Sequence, residues 1–323
     1  MRAMILAGGL STRLYPLTKQ VPKPLVPVAG QPNAVHLIRY LASYGFDEIA
    51  INVHYLADMI TSTLGDGSAY GVRLEYLHEK ELLGSAGAVK QMQAFFGIDS
   101  FVVIGCDDLT DMRLDDIVAF HKKMDALATI GLVRREEVAQ YGVVVTDPNG
   151  KIAGFQEKPA KGTEKSNLVN TGIYVFTPEI FEHIPSGRFY DFGKDVFPSL
   201  QQSGAAFFGF HADGAHWHDI GTPDEYRAAT YDVLSGKLRV PGFSVDGDVW
   251  ISPHASVAKS ARITGPSVVG DRVQVRDGAQ IERSIIWEGA RIGEEALLRD
   301  SIVGMNYEVA PKAELIDAIV ATT

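Results

Sequence analysis

From Val245 onward, apolar residues recur every six positions: Val245, Ile251, Val257, Ile263, Val269, Val275 and Ile281. A one-residue deletion moves the phase to Ile286, Ile292 and Leu298, and a second moves it to Val303, Val309 and Leu315. Neither an α-helix nor an alternating strand produces a sixfold rule. A parallel β-helix does, because each coil has three faces and one aliphatic residue per face stacks on its neighbours above and below. The repeat therefore predicts a left-handed parallel β-helix over residues 245–323, with about four coils. Residues 236–244, which begin in the stretch "SGKLRVPG" and run two residues past it, read as the linker that precedes it.

Residues 1–235 follow another rule. Apolar strand candidates at 3–6, 49–53, 74–78, 101–104 and 129–133 alternate with helical patterns at 34–44 and 86–96, which Gly45 and Gly97 close. Strand–helix–strand order predicts a Rossmann-like, mostly parallel sheet covered on both faces, with ligands beyond the carboxyl ends of its strands. The segments at 142–146, 152–156 and 168–176 lie closer together, the first two separated by "DPNGK", and read as antiparallel additions.

Composition narrows the ligand. Forty acidic against 30 basic residues give a net charge of -10, which disfavours nucleic acid and anionic membrane as partners. A phosphorylated ligand must then be held by local cations or a metal ion. The single cysteine, Cys106, cannot form an internal disulfide, and no apolar run is long enough to span a bilayer or to act as a cleavable leader. The expected location is the cytoplasm.

Such local cations occur in "LAGGLSTRLYPLTKQVPKPLVPV", residues 6–28. Gly8 and Gly9 follow the first strand, where bare backbone can approach a ligand closely. Arg13 and Lys23 are long cations, as is Lys19, in a segment stiffened by Pro16, Pro22 and Pro24. The loop matches neither the P-loop nor the dinucleotide fingerprint.

Further stretches follow in order: "LLGSAGAVK" at 82–90, "CDDLTD" at 106–111, "YGVVV" at 141–145, "FQEKP" at 155–159, "VNTGIYVF" at 169–176 and "WHDIGTP" at 217–223. Together with the opening loop they resemble the sugar-1-phosphate nucleotidylyltransferases, also called nucleotide-sugar pyrophosphorylases, in which a β-helix is a common appendage. The run from "LTDMRLDDIVAFHKK" to "DIGTPDEYRAA" is most similar to the mannose-1-phosphate guanylyltransferases.

The resemblance implies that a sugar 1-phosphate attacks the α-phosphorus of a nucleoside triphosphate and pyrophosphate leaves. Two polyanions meet, so positioning and charge neutralisation dominate. It implies Arg13, Lys23 and Asp107 as catalytic residues. Leu6, Ala7, Gly8, Gly9, Ser11 and Thr12 would bind the nucleotide, the backbone around Gly8 to Thr12 cradling its phosphates, and Gly84, Ser85 and Gly87 would lie against the base. Lys158 would bind the sugar phosphate, with Gly142, Glu157 and Asn170 at the sugar. Asp107 and Asp219 would hold Mg²⁺.

The expected reaction forms GDP-mannose from GTP and mannose 1-phosphate. Alternatives are glucose-1-phosphate uridylyl-, thymidylyl- or adenylyltransfer, and a non-catalytic subunit that senses nucleotide sugar. A homo-oligomer formed through the β-helix is also expected. Ser11 departs from the family's glycine, and serine at positive φ is strained. Asp108 ranks second as a metal ligand, and Asp111 reads as a turn or capping residue before a helix at 114–123. His216, His218, His254 and Cys106 are assigned no part in the chemistry.

Overall fold

The structure, a computed structural model, describes residues 1–322. It divides into two compact units: Met1–Gly9 with Leu37–Trp217, and Leu10–His36 with the chain from His218 onward.

The first unit is a mixed sheet of nine strands. In chain order the elements are β1 (Arg2–Leu6), α1 (Asn33–Ser43), β2 (Glu48–Val53), α2 (Ala57–Leu64), β3 (Arg73–His78), α3 (Gly84–Gln91) and β4 (Phe101–Gly105). Then follow α4 (Leu114–Lys123), β5 (Ala128–Arg134), β6 (Gly142–Thr146), β7 (Ile152–Glu157), β8 (Leu168–Phe176), α5 (Phe197–Ser203) and β9 (Phe207–His211). The spatial order is β7-β6-β8-β4-β1-β2-β3, with β5 between β8 and β9.

β1 to β4 are parallel, as their intervening helices require. Ala3, Met4 and Ile5 are fully buried, so β1 is covered on both faces. β8 runs antiparallel to β4, β5 and β6, and β6 pairs antiparallel with β7. The β6–β7 turn forms where the sequence placed it: Asp147 Oδ1 accepts from Asn149 N at 2.8 Å and Lys151 N at 2.9 Å, with Gly150 at φ 84.

In the second unit, parallel strands build three sheets of five, four and four. The aliphatic residues six apart are the ones that stack: Ile251, Val269, Ile286, Val303 and Val320 on one face. Val257, Val275, Ile292 and Val309 form the second column, and Ile263, Ile281, Leu298 and Leu315 the third. Val245 lies before the first strand and joins no column. Middle-coil residues such as Ile286 and Ile292 are fully buried, whereas Ile251, on the first coil, is 42% exposed because no coil lies above it.

The two deletions in the repeat, and a third between Leu315 and Val320, fall at one corner, which Arg283, Asp300 and Asp317 turn at φ 43, 51 and 48. Beside it runs a ladder of serines. Ser284 N donates to Ser267 Oγ, Ser301 N to Ser284 Oγ and Ala318 N to Ser301 Oγ, each at 3.1 Å. Every buried hydroxyl in the ladder also donates to a carbonyl. α6 (Pro223–Leu234) belongs to this unit. Its Tyr226 Oη donates to Pro27 O at 2.6 Å and accepts from Trp287 Nε1 at 2.9 Å.

Candidate active site

In the first unit, β1 delivers Leu6 and Ala7 to the sheet's carboxyl edge, where Ala7 N donates to Asn52 Oδ1 at 2.9 Å. Asn52 Nδ2 in turn donates to Glu79 Oε2 at 2.6 Å, and Glu79 Oε1 accepts from Leu83 N at 3.0 Å. A Cβ on Gly8 would lie 2.6 Å from Glu79 Oε2 and 2.8 Å from Asn52 Nδ2. Gly8 is therefore glycine because this buried pair passes beneath it. Gly9 is exposed, with nothing against its bare face.

The "GSAG" stretch opens α3, and the segment 188–194 crosses over it. Ala86 N and Gly87 N both donate to Tyr190 O at 3.0 Å, and Tyr190 N donates to Leu83 O at 2.8 Å. Ser85 Oγ donates to Asp191 Oδ2 and accepts from Phe192 N, both at 2.9 Å. A Cβ on Gly84 would come 2.5 Å from Tyr190 O, and one on Gly87 2.9 Å from Arg188 O. The small residues read as room for a base thus admit the protein's own backbone, and the Gly87 N–H is engaged there. A cavity of about 240 Å³ remains beside them, lined by Gly8, Gly9, Asn52, Glu79, Ser85 and Phe189 among others. Asn52, Glu79 and Asp191 escaped sequence reasoning, because their partners lie far along the chain.

β4 presents the acidic pair. Asp108 is buried, and its carboxylate accepts from Gly105 N and Trp217 Nε1, each at 2.9 Å. Gly172, at φ 80 in the irregular middle of β8, leaves room for it, since a Cβ there would lie 2.5 Å from Asp108 Oδ2. Asp107 is the partner left partly exposed, at the strand end. Asp111 does not cap α4, whose N-cap is Arg113. Instead Asp111 accepts from His216 N at 2.7 Å and lies 3.0 Å from His216 Nδ1.

The residues read as sugar-binding come together. A Cβ on Gly142 would lie 3.2 Å from Glu157 Oε2 and 3.4 Å from Asn170 Cβ. Glu157 is exposed as a residue, yet its carboxyl lies against Gly142 and Gly193. That burial raises its pKa; Asp191 adds to the rise, and Lys158 and Lys194 oppose it. Asn170 is held at both ends, with Oδ1 accepting from Gly172 N at 2.9 Å and Nδ2 donating to Tyr174 Oη at 3.1 Å. Lys158 follows at φ 45, exposed, its N–H donating to Tyr141 O at 3.1 Å.

In the second unit the prolines shape the loop into short 3₁₀ turns at Thr12–Leu14, Leu17–Lys19 and Lys23–Leu25, with Pro16 and Pro22 preceding the last two. Ser11 sits at φ 56, ψ 38, the left-handed conformation that its family's glycine tolerates without strain. Lys23 Nζ is 3.7 Å from Asp219 Oδ1, and Arg13 Nη2 is 3.6 Å from Asp219 Oδ2. The Lys23 side chain is only 9% exposed, so its charge needs this carboxylate, while Arg13 is half exposed. Gly221 makes the cluster possible: a Cβ there would lie 2.6 Å from Arg13 Nη2 and 2.7 Å from Asp219 Oδ1.

His218, beside Asp219, ties its strand to α6. Its ring nitrogens lie 3.0 Å from Glu225 Oε2 and 2.9 Å from Asp232 Oδ2. Asp107 and Asp219 are hard oxygen donors of the kind Mg²⁺ takes. Among the described residues, no group of three or more His, Cys, Asp or Glu side chains forms a ready-made metal cage.

The fold and these clusters define a nucleotidyl transferase domain followed by a β-helix. Residues 2–236 match the family model described as nucleotidyl transferase, and residues 245–322 match that of the GMPPB C-terminal domain. The chain belongs to the nucleotidyl transferase family and is a sugar-1-phosphate nucleotidyltransferase. It is 39% identical to a UTP–glucose-1-phosphate uridylyltransferase of Synechocystis sp., over 98% of this chain and 90% of that one. It is 32% identical to a mannose-1-phosphate guanylyltransferase of Mycobacterium tuberculosis, over 90% of this chain and 80% of that one. Among solved structures, HddC from Yersinia pseudotuberculosis superposes with a TM-score of 0.61 at 29% identity, covering 71% of this chain and 97% of that one. Among the described residues, no helix is long and apolar enough to cross a membrane.

Proposed function

We propose that the chain transfers a guanylyl group from GTP to mannose 1-phosphate, giving GDP-mannose and pyrophosphate. The observation that carries the chemistry is the Lys23–Asp219–Arg13 cluster: a buried and a half-exposed cation on one carboxylate, beside an exposed stretch at Thr12 and Arg13. The match of residues 245–322 to the GMPPB C-terminal domain and the guanylyltransferase relative support the choice of base and sugar.

Arg13 and Lys23 neutralise the departing pyrophosphate, and the exposed backbone from Gly9 to Thr12 cradles phosphate oxygens. Lys158 holds the sugar phosphate. Glu157 and Asn170 accept hydrogen bonds from sugar hydroxyls, the second from a carboxamide already oriented by Gly172 and Tyr174. Asp107 and Asp219 are the residues that would hold Mg²⁺, which when bound lowers the repulsion between the two phosphorylated substrates and polarises the α-phosphorus.

The 39% identical relative favours a second reading with the same chemistry, glucose 1-phosphate and UTP. Pyrophosphate release assayed with GTP, UTP, dTTP and ATP, each against mannose and glucose 1-phosphates, separates the two. The highest kcat/KM for GTP with mannose 1-phosphate is expected, and a preference for UTP with glucose 1-phosphate establishes the second reading. Absence of turnover with every pair, together with nucleotide binding that Asp107→Ala leaves intact, would favour a sensor subunit. The reading extends to a homo-oligomer joined through the β-helix, whose end coils leave strand edges open; a monomeric mass in light scattering contradicts that part.

A further inference from the structure

We propose that Phe189 is the wall on which the base of the nucleoside triphosphate stacks, an inference that rests on the nucleotidyl-transfer reading. Phe189 is 58% exposed, the most exposed aromatic ring among the described residues that line a cavity. An exposed phenyl ring gains little by itself, yet the chain around it is tightly held. Tyr190 O accepts two N–H groups from the start of α3, and Asp191 takes the Ser85 hydroxyl. Arg188 places its guanidinium 5.3 Å from the Tyr190 ring centroid. Residues 188, 190 and 191 are thus anchored, and the ring between them stays at the mouth of the cavity.

The cavity suits a planar base. Its volume of about 240 Å³ is below the range for a whole drug-sized ligand, so it fits one ring system with ribose and phosphates outside. Gly8, Gly9 and Gly84 put no side chain into it, and Leu82 adds apolar surface. On its floor Glu79 has oxygens already accepting from Asn52 and Leu83, each with a further lone pair, so the floor receives N–H donors from a base edge. An aromatic face over an acceptor floor is a base-stacking site, and such stacking is sequence-tolerant enough to serve any of the candidate nucleotides.

The test is calorimetric titration of GTP, UTP and inorganic tripolyphosphate into the native chain and into Phe189→Ala, Phe189→Leu and Phe189→Trp, without sugar phosphate so that no turnover occurs. Phe189→Ala should weaken the preferred nucleotide by about ten- to a hundredfold, the equivalent of base–aromatic stacking. Tripolyphosphate binding and the melting temperature should not change. Phe189→Leu should bind as poorly as alanine, and Phe189→Trp at least as well as the native chain. Nucleotide binding by the native chain that Phe189→Ala or Phe189→Leu leaves unaltered overturns this inference while the nucleotidyl-transfer reading stands. Failure of the native chain to bind any nucleotide overturns both.

Discussion

The β-helix corner and the glycine loop both hold non-glycine residues in left-handed backbone, and they do so differently. At the β-helix corner, Arg283, Asp300 and Asp317 recur at equivalent places, and the backbone N–H of the residue after each donates to a serine hydroxyl of the adjacent coil, Ser267, Ser284 and Ser301 in turn. In the glycine loop Ser11 stands alone at φ 56, with its hydroxyl buried and unpartnered while Leu10, Thr12 and Arg13 are exposed. A repeat can offset backbone strain with the same hydrogen bond at each coil. A loop shaped around a ligand has no neighbouring copy to supply it, and strain persists where the surroundings over-determine the conformation.

The largest effect expected from this contrast is chemical. Lys23→Ala should lower kcat/KM for pyrophosphate release by about a thousandfold or more, the scale of losing one preorganised group at a developing charge. A loss below tenfold would remove Lys23 from the chemistry. The β-helix counterpart is Ile292→Ala in the middle of its column. It should cost about 2–5 kcal/mol in denaturant unfolding of that region, while kcat below the transition stays unchanged.

Next in size is a pH effect in the sheet unit. His121 is buried with Nδ1 on Thr129 Oγ1 at 2.9 Å, and burial pushes its pKa down from 6.5 to about 4, with Lys122 adding to the fall. The folded chain keeps the ring neutral while the unfolded chain protonates it near 6.5. Its contribution is therefore intact above that value and is lost as pH falls from 6.5 toward 4, by about 3 kcal/mol at most. His121→Gln should flatten the stability profile across that window; an unchanged slope would exclude His121 as its source. Smallest is Ser11→Gly, which removes the strained residue and its unpartnered hydroxyl. A gain of up to about 1 kcal/mol is expected, with kcat unchanged or raised, and a fall in stability would show that the serine is accommodated without strain.

The same contrast governs what the chain's letters disclose. A stacking column such as Ile263, Ile281, Leu298 and Leu315 was legible because each coil repeats the same demand for an aliphatic residue. Strands β1 to β4 and the β6–β7 hairpin were legible from local pattern and turn chemistry. α2 and β9 were not, since neither carries a motif that marks it out.

Within the first unit the clustering of Gly142, Glu157 and Asn170, and within the second that of Arg13, Lys23 and Asp219, could be anticipated from motifs. The Asn52–Glu79 pair and the crossing of residues 188–194 over Gly84–Gly87 could not. They join positions 27 and 106 residues apart through hydrogen bonds that leave no periodic trace. Asp111 shows the converse: an acid placed before a helix suggests a cap, but His216 offers it a better partner.

The most direct test of the account follows the fate of phosphorus. GTP labelled at the α-position, incubated with mannose 1-phosphate and Mg²⁺, should pass its label into a sugar nucleotide, while label at the β- or γ-position should appear in pyrophosphate. Label released as free nucleotide or inorganic phosphate, with no sugar nucleotide formed from this or any other nucleotide and sugar phosphate, would contradict it.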